Sequence, residues 1–177
     1  PIGTSIHRIT GVAGLLVSAL GYALRYEFLR WQLDLPAWTH SSGETHAFDV
    51  TMRDGVQLAT TVFEPAGDGP WPTILIRNPY DAPFIESWCG IFVRSGYACV
   101  YQAVRGQLGS AGQWEPAVNE LDDGEDTVQW LAAQSFHDGN IGLYGPSYLA
   151  SVQWAAAARG LPPEVKTLVP LVFATDM

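Results

Sequence analysis

One stretch decides the fold of this chain, and it reads Asn140-Ile141-Gly142-Leu143-Tyr144-Gly145-Pro146-Ser147-Tyr148-Leu149-Ala150. Its apolar start, 141–144, predicts a buried strand, and the residues from 148 to 159 carry the pattern of a helix. Ser147 therefore falls at the corner between strand and helix, which is where many hydrolases place a nucleophilic serine. Gly145 and Ala150 supply the small residues that such a tight turn needs. A second interpretation of Ser147 stays open from this stretch alone, because serine is also a preferred helix N-cap.

A second stretch supports the first interpretation. Residues 73–78 form another apolar strand, which Pro79, Tyr80 and Asp81 follow. In folds with a strand-corner serine, the loop after the third strand helps to bind the oxyanion, often through a backbone amide. Pro79 has no N–H to donate, so the Tyr80 phenol is the candidate donor on this side, and the backbone N–H of Tyr148 is the candidate on the other. The alternative for Tyr80 is an ordinary packing role.

Both stretches belong to a set of motifs by which the sequence resembles the X-Pro dipeptidyl-peptidase and cocaine-esterase-like (CocE/NonD) serine hydrolases. The resemblance covers roughly residues 47–177, where the motifs run in the family's order. They are Met52-Arg53-Asp54-Gly55-Val56, Ile76-Arg77-Asn78-Pro79-Tyr80-Asp81, Arg105-Gly106 with Ser110 and Gly112, Asp138-Gly139-Asn140-Ile141-Gly142, and Gly145-Pro146-Ser147-Tyr148. The resemblance implies that Ser147 is the nucleophile and that the Tyr80 hydroxyl and the Tyr148 amide form the oxyanion hole.

Two positions depart from the family's pattern. Ala103 stands where the family usually has an aspartate, two residues before Arg105, which calls into question a polar contact that would support this arginine. Ala150 replaces the usual glycine after the serine, and alanine is still small enough to keep the turn.

The remaining patterns predict an α/β-hydrolase fold, with a mostly parallel sheet, helices on both faces and an N-terminal antiparallel hairpin. Asp54-Gly55 is a strong signal for the hairpin turn. The predicted strands are 46–53, 56–64, 73–78, 97–104, 141–144 and 167–173, and the predicted helices are 82–94, about 126–134, and 148–159. We expect residues 41–177 to be the N-terminal part of this domain, with the fold incomplete in this chain.

The composition narrows the partners. The chain has 177 residues, of which 47% are apolar and 15% are charged, and its formal net charge is −9. Because Lys166 is its only lysine, it lacks the clustered cations that neutralise phosphates, which excludes a nucleic-acid partner.

The acidic run 120–126 lacks the ligand spacing of an EF-hand, and carboxylates are favoured at a helix start. Cys89 and Cys99 lack C-x-x-C spacing, so we expect buried thiols, and we expect no metal and no cofactor.

The N-terminal segment has several interpretations. Residues 9–24 carry no charge and lie between Arg8 and Arg25, but they fall short of the roughly 20 residues that usually span a bilayer. They predict a membrane anchor, the core of an export signal with 17–19 as its cleavage site, or a helix packed on the domain. Membrane-anchored, exported and cytoplasmic locations therefore all stay open. We expect 1–40 to be this apolar segment and a linker.

One part of the expected chemistry is missing from the sequence. A serine hydrolase of this fold needs an Asp or Glu and then a His after the serine, but only Glu164 and Asp176 follow Ser147, and no histidine does. His7, His40, His46 and His137 all precede it, so none lies in the expected position, and the last three are expected in loop, strand and turn positions without a catalytic role. The resemblance implies that the catalytic Asp and His, a helical cap and a β-sandwich follow in a longer protein. The 177 residues alone are therefore expected to be inactive.

These observations predict hydrolysis of an ester or amide in a small molecule or peptide, through an acyl-enzyme at Ser147. An acylase or amino-acid ester hydrolase of the same family is the close alternative. A hydrolase-like scaffold that only binds is the alternative from a different class.

Overall fold

The computed structural model describes Gly21 and residues 24–172, and its main feature is a six-stranded sheet in the order β1-β2-β4-β3-β5-β6. The strands are β1 (Ser42–Thr51), β2 (Gln57–Pro65), β3 (Trp71–Asn78), β4 (Ala98–Ala103), β5 (His137–Pro146) and β6 (Val165–Leu171). The helices are α1 (24–32), α2 (Pro83–Arg94), α3 (Glu120–Ala132) and α4 (Tyr148–Ala157). The order of strands and helices is the alternation that the sequence predicts.

The sheet begins with the expected hairpin and continues as a parallel sheet. β1 and β2 pair antiparallel, β2 pairs antiparallel with β4, and the pairs β4/β3, β3/β5 and β5/β6 are all parallel. At the hairpin turn Gly55 has φ +86°, and its N–H donates to the Met52 carbonyl at 2.8 Å. Glycine suits this position because a side chain would be strained at that φ.

Helices cover both faces of the sheet. Successive residues of a strand point to opposite faces, so neighbouring residues pack against different helices. Leu75 and Val100 pack with Val128 and Leu131 of α3 on one face. The neighbouring strand residues Ile76 and Cys99 pack with α2 on the other face, against Ile85, Cys89 and Val93. α4 lies beside α3, where a Cβ on Gly124 would come within 2.9 Å of the Ala156 Cβ. The inner strands β3 and β4 are therefore buried on both sides, as their apolar sequences require, while β1 and β6 are largely exposed.

One helix begins earlier than the sequence pattern suggests. α3 starts at Glu120 instead of about residue 126, so the acidic run forms its first turns. Buried arginines compensate two of these carboxylates: Arg77 pairs with Glu120, and Arg105 pairs with Asp123. The acidic residues are also favourable here because the N-terminal end of a helix is the positive end of its dipole.

The two cysteines are bonded to each other, so the expectation of free thiols is wrong. A disulfide joins Cys89 on α2 to Cys99 on β4, with their Cα atoms 5.2 Å apart. Both residues are buried, as expected. The pairing is a consequence of α2 packing on β4, which the spacing of the two residues in the sequence does not reveal.

The chain divides into two compact units, before and after Trp38. In the first unit, α1 exposes Leu24, Phe28 and Trp31, and Arg30 pairs with Glu27 at 2.9 Å. Most of the apolar segment 9–24 lies outside the described residues. Among the helices that the structure describes, none has the length and apolarity needed to cross a membrane.

Candidate active site

Ser147 occupies the predicted corner between strand and helix. It is the residue between the end of β5 and the start of α4, with φ +58° and ψ −125°. A positive φ is rare for a residue with a side chain, and it stores strain of roughly 1–3 kcal/mol that the surroundings must hold. Ser147 is exposed, and its hydroxyl makes no capping hydrogen bond to α4. The structure therefore gives no support to the N-cap interpretation.

Neighbouring residues hold the corner in this conformation. The Ser147 N–H donates to the Leu171 carbonyl on β6 at 2.9 Å, and the Ser147 carbonyl accepts from the Ala150 N–H at 2.9 Å. Gly145 has φ +149°, and a Cβ there would run into the Leu149 side chain. Ala150 is fully buried, so this position also requires a small residue. Glycine and alanine stand where the sequence analysis needed small residues.

Tyr80 lies just beyond the end of β3, and the residue is 40% exposed. One buried side chain holds its main chain: the Asn78 amide accepts from the Tyr80 N–H at 3.1 Å and donates to the Tyr80 carbonyl at 2.7 Å. The same Asn78 Nδ2 also donates to the Tyr101 hydroxyl at 2.6 Å. The ring borders a cleft of about 200 Å³ whose lining residues are Tyr80, Asp81, Ala82, Glu86, Tyr101 and Leu108.

Tyr148 has its backbone and its side chain in two different roles. As the first residue of α4 its N–H has no carbonyl partner within the helix, so it is available to a ligand. Its hydroxyl donates to Glu120 Oε1 at 2.9 Å and accepts from the Ala117 N–H at 2.9 Å. Burial raises the pKa of the Tyr148 phenol, and the nearby Glu120 carboxylate adds to this. The phenol therefore stays protonated and remains a donor to Glu120.

Glu120 belongs to a buried polar network that the sequence analysis did not find. Glu120 and Arg77 are 5% and 3% exposed, and their charged groups lie 2.9 Å apart. Arg77 Nε also donates to Gln102 Oε1 at 2.9 Å, and that oxygen accepts from the Thr127 hydroxyl at 2.8 Å. A charged residue inside an apolar strand was the available signal, because buried arginines need partners.

The three histidines in the part of the chain that the structure describes, His40, His46 and His137, lie away from the corner or have other partners. His137 is the first residue of β5 and Ser147 follows the last, which separates them by roughly 30 Å along an extended strand. His137 Nδ1 accepts from the Gly139 N–H, so its Nε2 donates to the Ala132 carbonyl. His46 lies between Glu44 and Glu64 on the hairpin. In the described part of the chain no cluster of His, Cys, Asp or Glu has the grouping of a metal site.

Comparison with known proteins identifies the family. A family model described as X-Pro dipeptidyl-peptidase (S15 family) matches residues 54–177. The chain belongs to the S15 family. The S15 chain is also 42% identical over 134 residues to a cocaine esterase from Rhodococcus sp. (strain MB1 Bresler), an overlap of 72% of this chain and 23% of that protein.

Solved structures agree with this assignment. The S15 chain is similar to an alpha-amino acid ester hydrolase, with 27% identity, a TM-score of 0.64, and an overlap of 77% of this chain and 26% of that one. It is similar to a CocE/NonD family hydrolase from Staphylococcus aureus, with 30% identity, a TM-score of 0.60, and an overlap of 72% and 26%. The chain thus spans about a quarter of the length of these relatives. The expected family and the expected α/β-hydrolase fold are both confirmed.

The structure also explains how this S15 chain accommodates Ala103. Arg105 pairs with Asp54 and Asp123, each at 2.6 Å, and the hydrogen bonds that it donates to these two carboxylates raise the pKa of the arginine. The Ala103 carbonyl accepts from the Ser110 hydroxyl at 2.9 Å. Arg105 therefore has two carboxylate partners without an aspartate at position 103.

Proposed function

We propose that this chain carries the nucleophile and the oxyanion hole of a serine hydrolase that cleaves esters or amides through an acyl-enzyme. The observation that carries the proposal is the conformation of Ser147, an exposed serine with φ +58° at the end of β5, a strand with a parallel neighbour on each side. Strained backbone conformations of this kind cluster at active sites, where the surrounding structure holds a functional side chain in place. The relatives named above are an esterase, an ester hydrolase and a peptidase family, which fits this reaction class.

Ser147 would act by attack of its hydroxyl oxygen on the substrate's carbonyl carbon, with a base taking the hydroxyl proton. The carbonyl π bond opens, so the negative charge develops on the former carbonyl oxygen. Collapse of this intermediate expels an alcohol or amine, which receives the proton, and leaves the acyl group on Ser147. Attack by water, with the base again taking a proton, releases the acid and restores the serine. The resemblance assigns the base to a His with an Asp partner beyond this chain.

Two donors of this chain would stabilise the oxyanion. The Tyr148 N–H is the first amide of α4, where the helix dipole adds to its pull on a negative charge. The Tyr80 hydroxyl would be the second, in place of the amide that Pro79 lacks. Its ring is partly exposed beside a cleft, as a substrate-facing group must be, while Asn78 holds its main chain.

We place esters first as the substrate class. The relative with 42% identity is an esterase, and a solved relative hydrolyses alpha-amino acid esters by name. An amide or peptide substrate is the second candidate because the family model that matches is named for dipeptidyl-peptidases.

Covalent labelling of the full-length protein with a fluorophosphonate tests this proposal. We expect Ser147→Ala to abolish both labelling and ester turnover, because the probe reacts only with an activated serine. Ser151→Ala is the matched control, since this half-buried serine lies about one turn further along the chain, within α4, and it should label normally. Full labelling of Ser147→Ala would place the nucleophile elsewhere and overturn the proposal.

A further inference from the structure

The buried pair Arg77–Glu120 reaches the candidate site through Tyr148, whose hydroxyl donates to Glu120. We propose that Glu120, held by Arg77, is a positioning residue that fixes the Tyr148 side chain and so aims the Tyr148 amide at the oxyanion. The inference rests on the proposed function, since it concerns one half of that oxyanion hole. It assigns a role to the Tyr148 phenol, which takes no part in the chemistry itself.

The Tyr148 side chain is anchored outside its own helix. Its hydroxyl donates to Glu120 and accepts from the Ala117 N–H, both at 2.9 Å. Its ring meets the edge of Trp114, with centroids 6.4 Å apart and planes at 69°. These contacts all lie between residues 114 and 120, the segment that leads into α3. The start of α4 is therefore tied to the start of α3 through this one phenol.

Glu120 is itself immobilised by burial and charge. Its Oε2 lies 2.9 Å from Arg77 Nη1, in a geometry that is ionic and not a hydrogen bond. Arg77 is fixed in turn by Gln102, whose Nε2 donates to the Thr60 hydroxyl at 3.1 Å. A buried pair of this kind adds little net stability over apolar residues, but breaking it leaves one buried charge uncompensated. Positioning accounts for its presence better than stability does.

Fixing the phenol matters because the amide and the side chain of Tyr148 share one Cα atom. A tilt of the first turn of α4 would move the N–H away from the oxyanion, and Ser147 next to it is held at a strained φ. Catalytic groups must be held within about 0.5 Å of their working position, and a misplacement of about 1 Å can cost about 100-fold in rate. A tether to a rigid buried network opposes such a tilt.

The same end of β3 holds the other candidate donor. Arg77 and Asn78 are consecutive, so their side chains leave opposite faces of the strand. Asn78 holds the main chain of Tyr80, while Arg77 holds Tyr148 through Glu120. Side chains at the end of one strand therefore hold both candidate donors of the oxyanion hole.

The first test is Tyr148→Phe in the full-length protein, which removes the phenol oxygen and keeps the backbone amide. We expect kcat on the best ester to fall about tenfold, less than the roughly 100-fold of a full 1 Å displacement, with KM changed less than about twofold. Tyr144→Phe is the matched control: it is also a half-buried tyrosine, and its ring packs on Trp88 and Phe92. Unchanged kcat in Tyr148→Phe would overturn the inference.

The second test separates positioning from plain stability. Glu120→Gln and Glu120→Ala both remove the charge that faces Arg77, so both should lower Tm. Only glutamine keeps an oxygen that can accept from the Tyr148 hydroxyl. We expect Glu120→Gln to retain most of the wild-type kcat and Glu120→Ala to lose about as much kcat as Tyr148→Phe. The double variant Glu120→Ala with Tyr148→Phe should lose no more kcat than either single variant. Equal losses of kcat in the glutamine and alanine variants would show a purely structural role and overturn the inference.

Failure of this inference differs from failure of the proposed function. If Ser147→Ala loses labelling and ester turnover while Tyr148→Phe retains the wild-type kcat, only the positioning role is wrong. If Ser147→Ala keeps wild-type labelling and turnover, the proposed function and the inference both fall.

Discussion

Asn78 hydrogen-bonds both peptide groups of Tyr80, accepting from its N–H at 3.1 Å and donating to its carbonyl at 2.7 Å. Asn78 is fully buried, so neither bond competes with water. A single side chain therefore holds the main chain from which the Tyr80 phenol projects. This makes the last residue of β3 a determinant of the candidate site although it does not face the cleft of about 200 Å³.

Asn78→Ala should consequently lower kcat while changing KM much less, because Tyr80 loses the contacts that hold its loop. The peptide groups left without a partner should also cost about 1–3 kcal/mol of stability. Tyr101→Phe is the control, since it removes the third contact of Asn78 and spares both contacts to Tyr80. Steady-state kinetics with thermal unfolding would decide this, and a normal kcat in Asn78→Ala would count against the clamp.

Tyr80→Phe tests the phenol itself. If the hydroxyl donates to the oxyanion, its loss should reduce kcat by about 10²–10³, with little effect on KM or Tm. Tyr97→Phe, a partly exposed tyrosine that packs on Phe92, should behave as wild type. A kcat within about threefold of wild type, well under the range for a lost donor, would assign Tyr80 a packing role.

The disulfide predicts a dependence of stability on redox conditions. Replacing Cys89 and Cys99 together by alanine should lower Tm, because a cross-link around a loop this short stabilises a fold by roughly 2–3 kcal/mol. A reductant added during unfolding should lower the Tm of the wild type and leave that of the double variant unchanged. Digestion without reductant, followed by mass spectrometry, should yield a peptide joined through these two residues. Recovery of both as alkylated thiols would contradict the bond.

The ion pairs of Arg105 predict how stability depends on pH. Hydrogen bonds from Arg105 lower the pKa of Asp54 in the folded protein. A carboxyl group whose pKa is lowered by folding stabilises the folded protein at pH values above its unfolded pKa, which is about 3.9 for a typical Asp. This stabilisation is lost as the pH falls through the lower pKa of the folded state. Tm should therefore be nearly constant from pH 7 to about 5 and should fall below about pH 4.

Asp54→Asn isolates this contribution. The variant should have a lower Tm at pH 7 and a shallower decrease in acid than the wild type, because the titrating carboxylate is gone. Asp49→Asn, at an exposed position on β1, should reproduce the wild-type profile. Identical acid profiles for Asp54→Asn and the wild type would mean that this pair does not contribute.

The parts of the fold that the sequence predicted are those that depend on local patterns. The hairpin turn at Asp54-Gly55, the apolar strand 73–78 and the corner at Ser147 each follow from neighbouring residues. Gly145 and Ala150 were predictable for the same reason, since the tight turn demands small residues next to the serine.

The parts that it did not predict depend on contacts between distant residues. The pairing of Cys89 with Cys99 requires α2 to lie on β4, and the partnership of Arg77 with Glu120 joins β3 to α3. The early start of α3 has the same origin, because its acidic first turns are compensated by arginines on other elements. Asn78 resembled any polar residue at a strand end until its contacts with Tyr80 were visible.

The hydrogen bond from the Ser147 N–H to the Leu171 carbonyl predicts an order of events during synthesis of the chain. Leu171 is the last residue of β6, so a nascent chain that has emerged only as far as α4 lacks the partner that holds the serine corner. We therefore expect the corner to be among the last features of this sheet to reach its final form, so that the candidate nucleophile is positioned only after the strands around it. Hydrogen exchange at the Ser147 amide should accordingly match that of β6 and not that of α4.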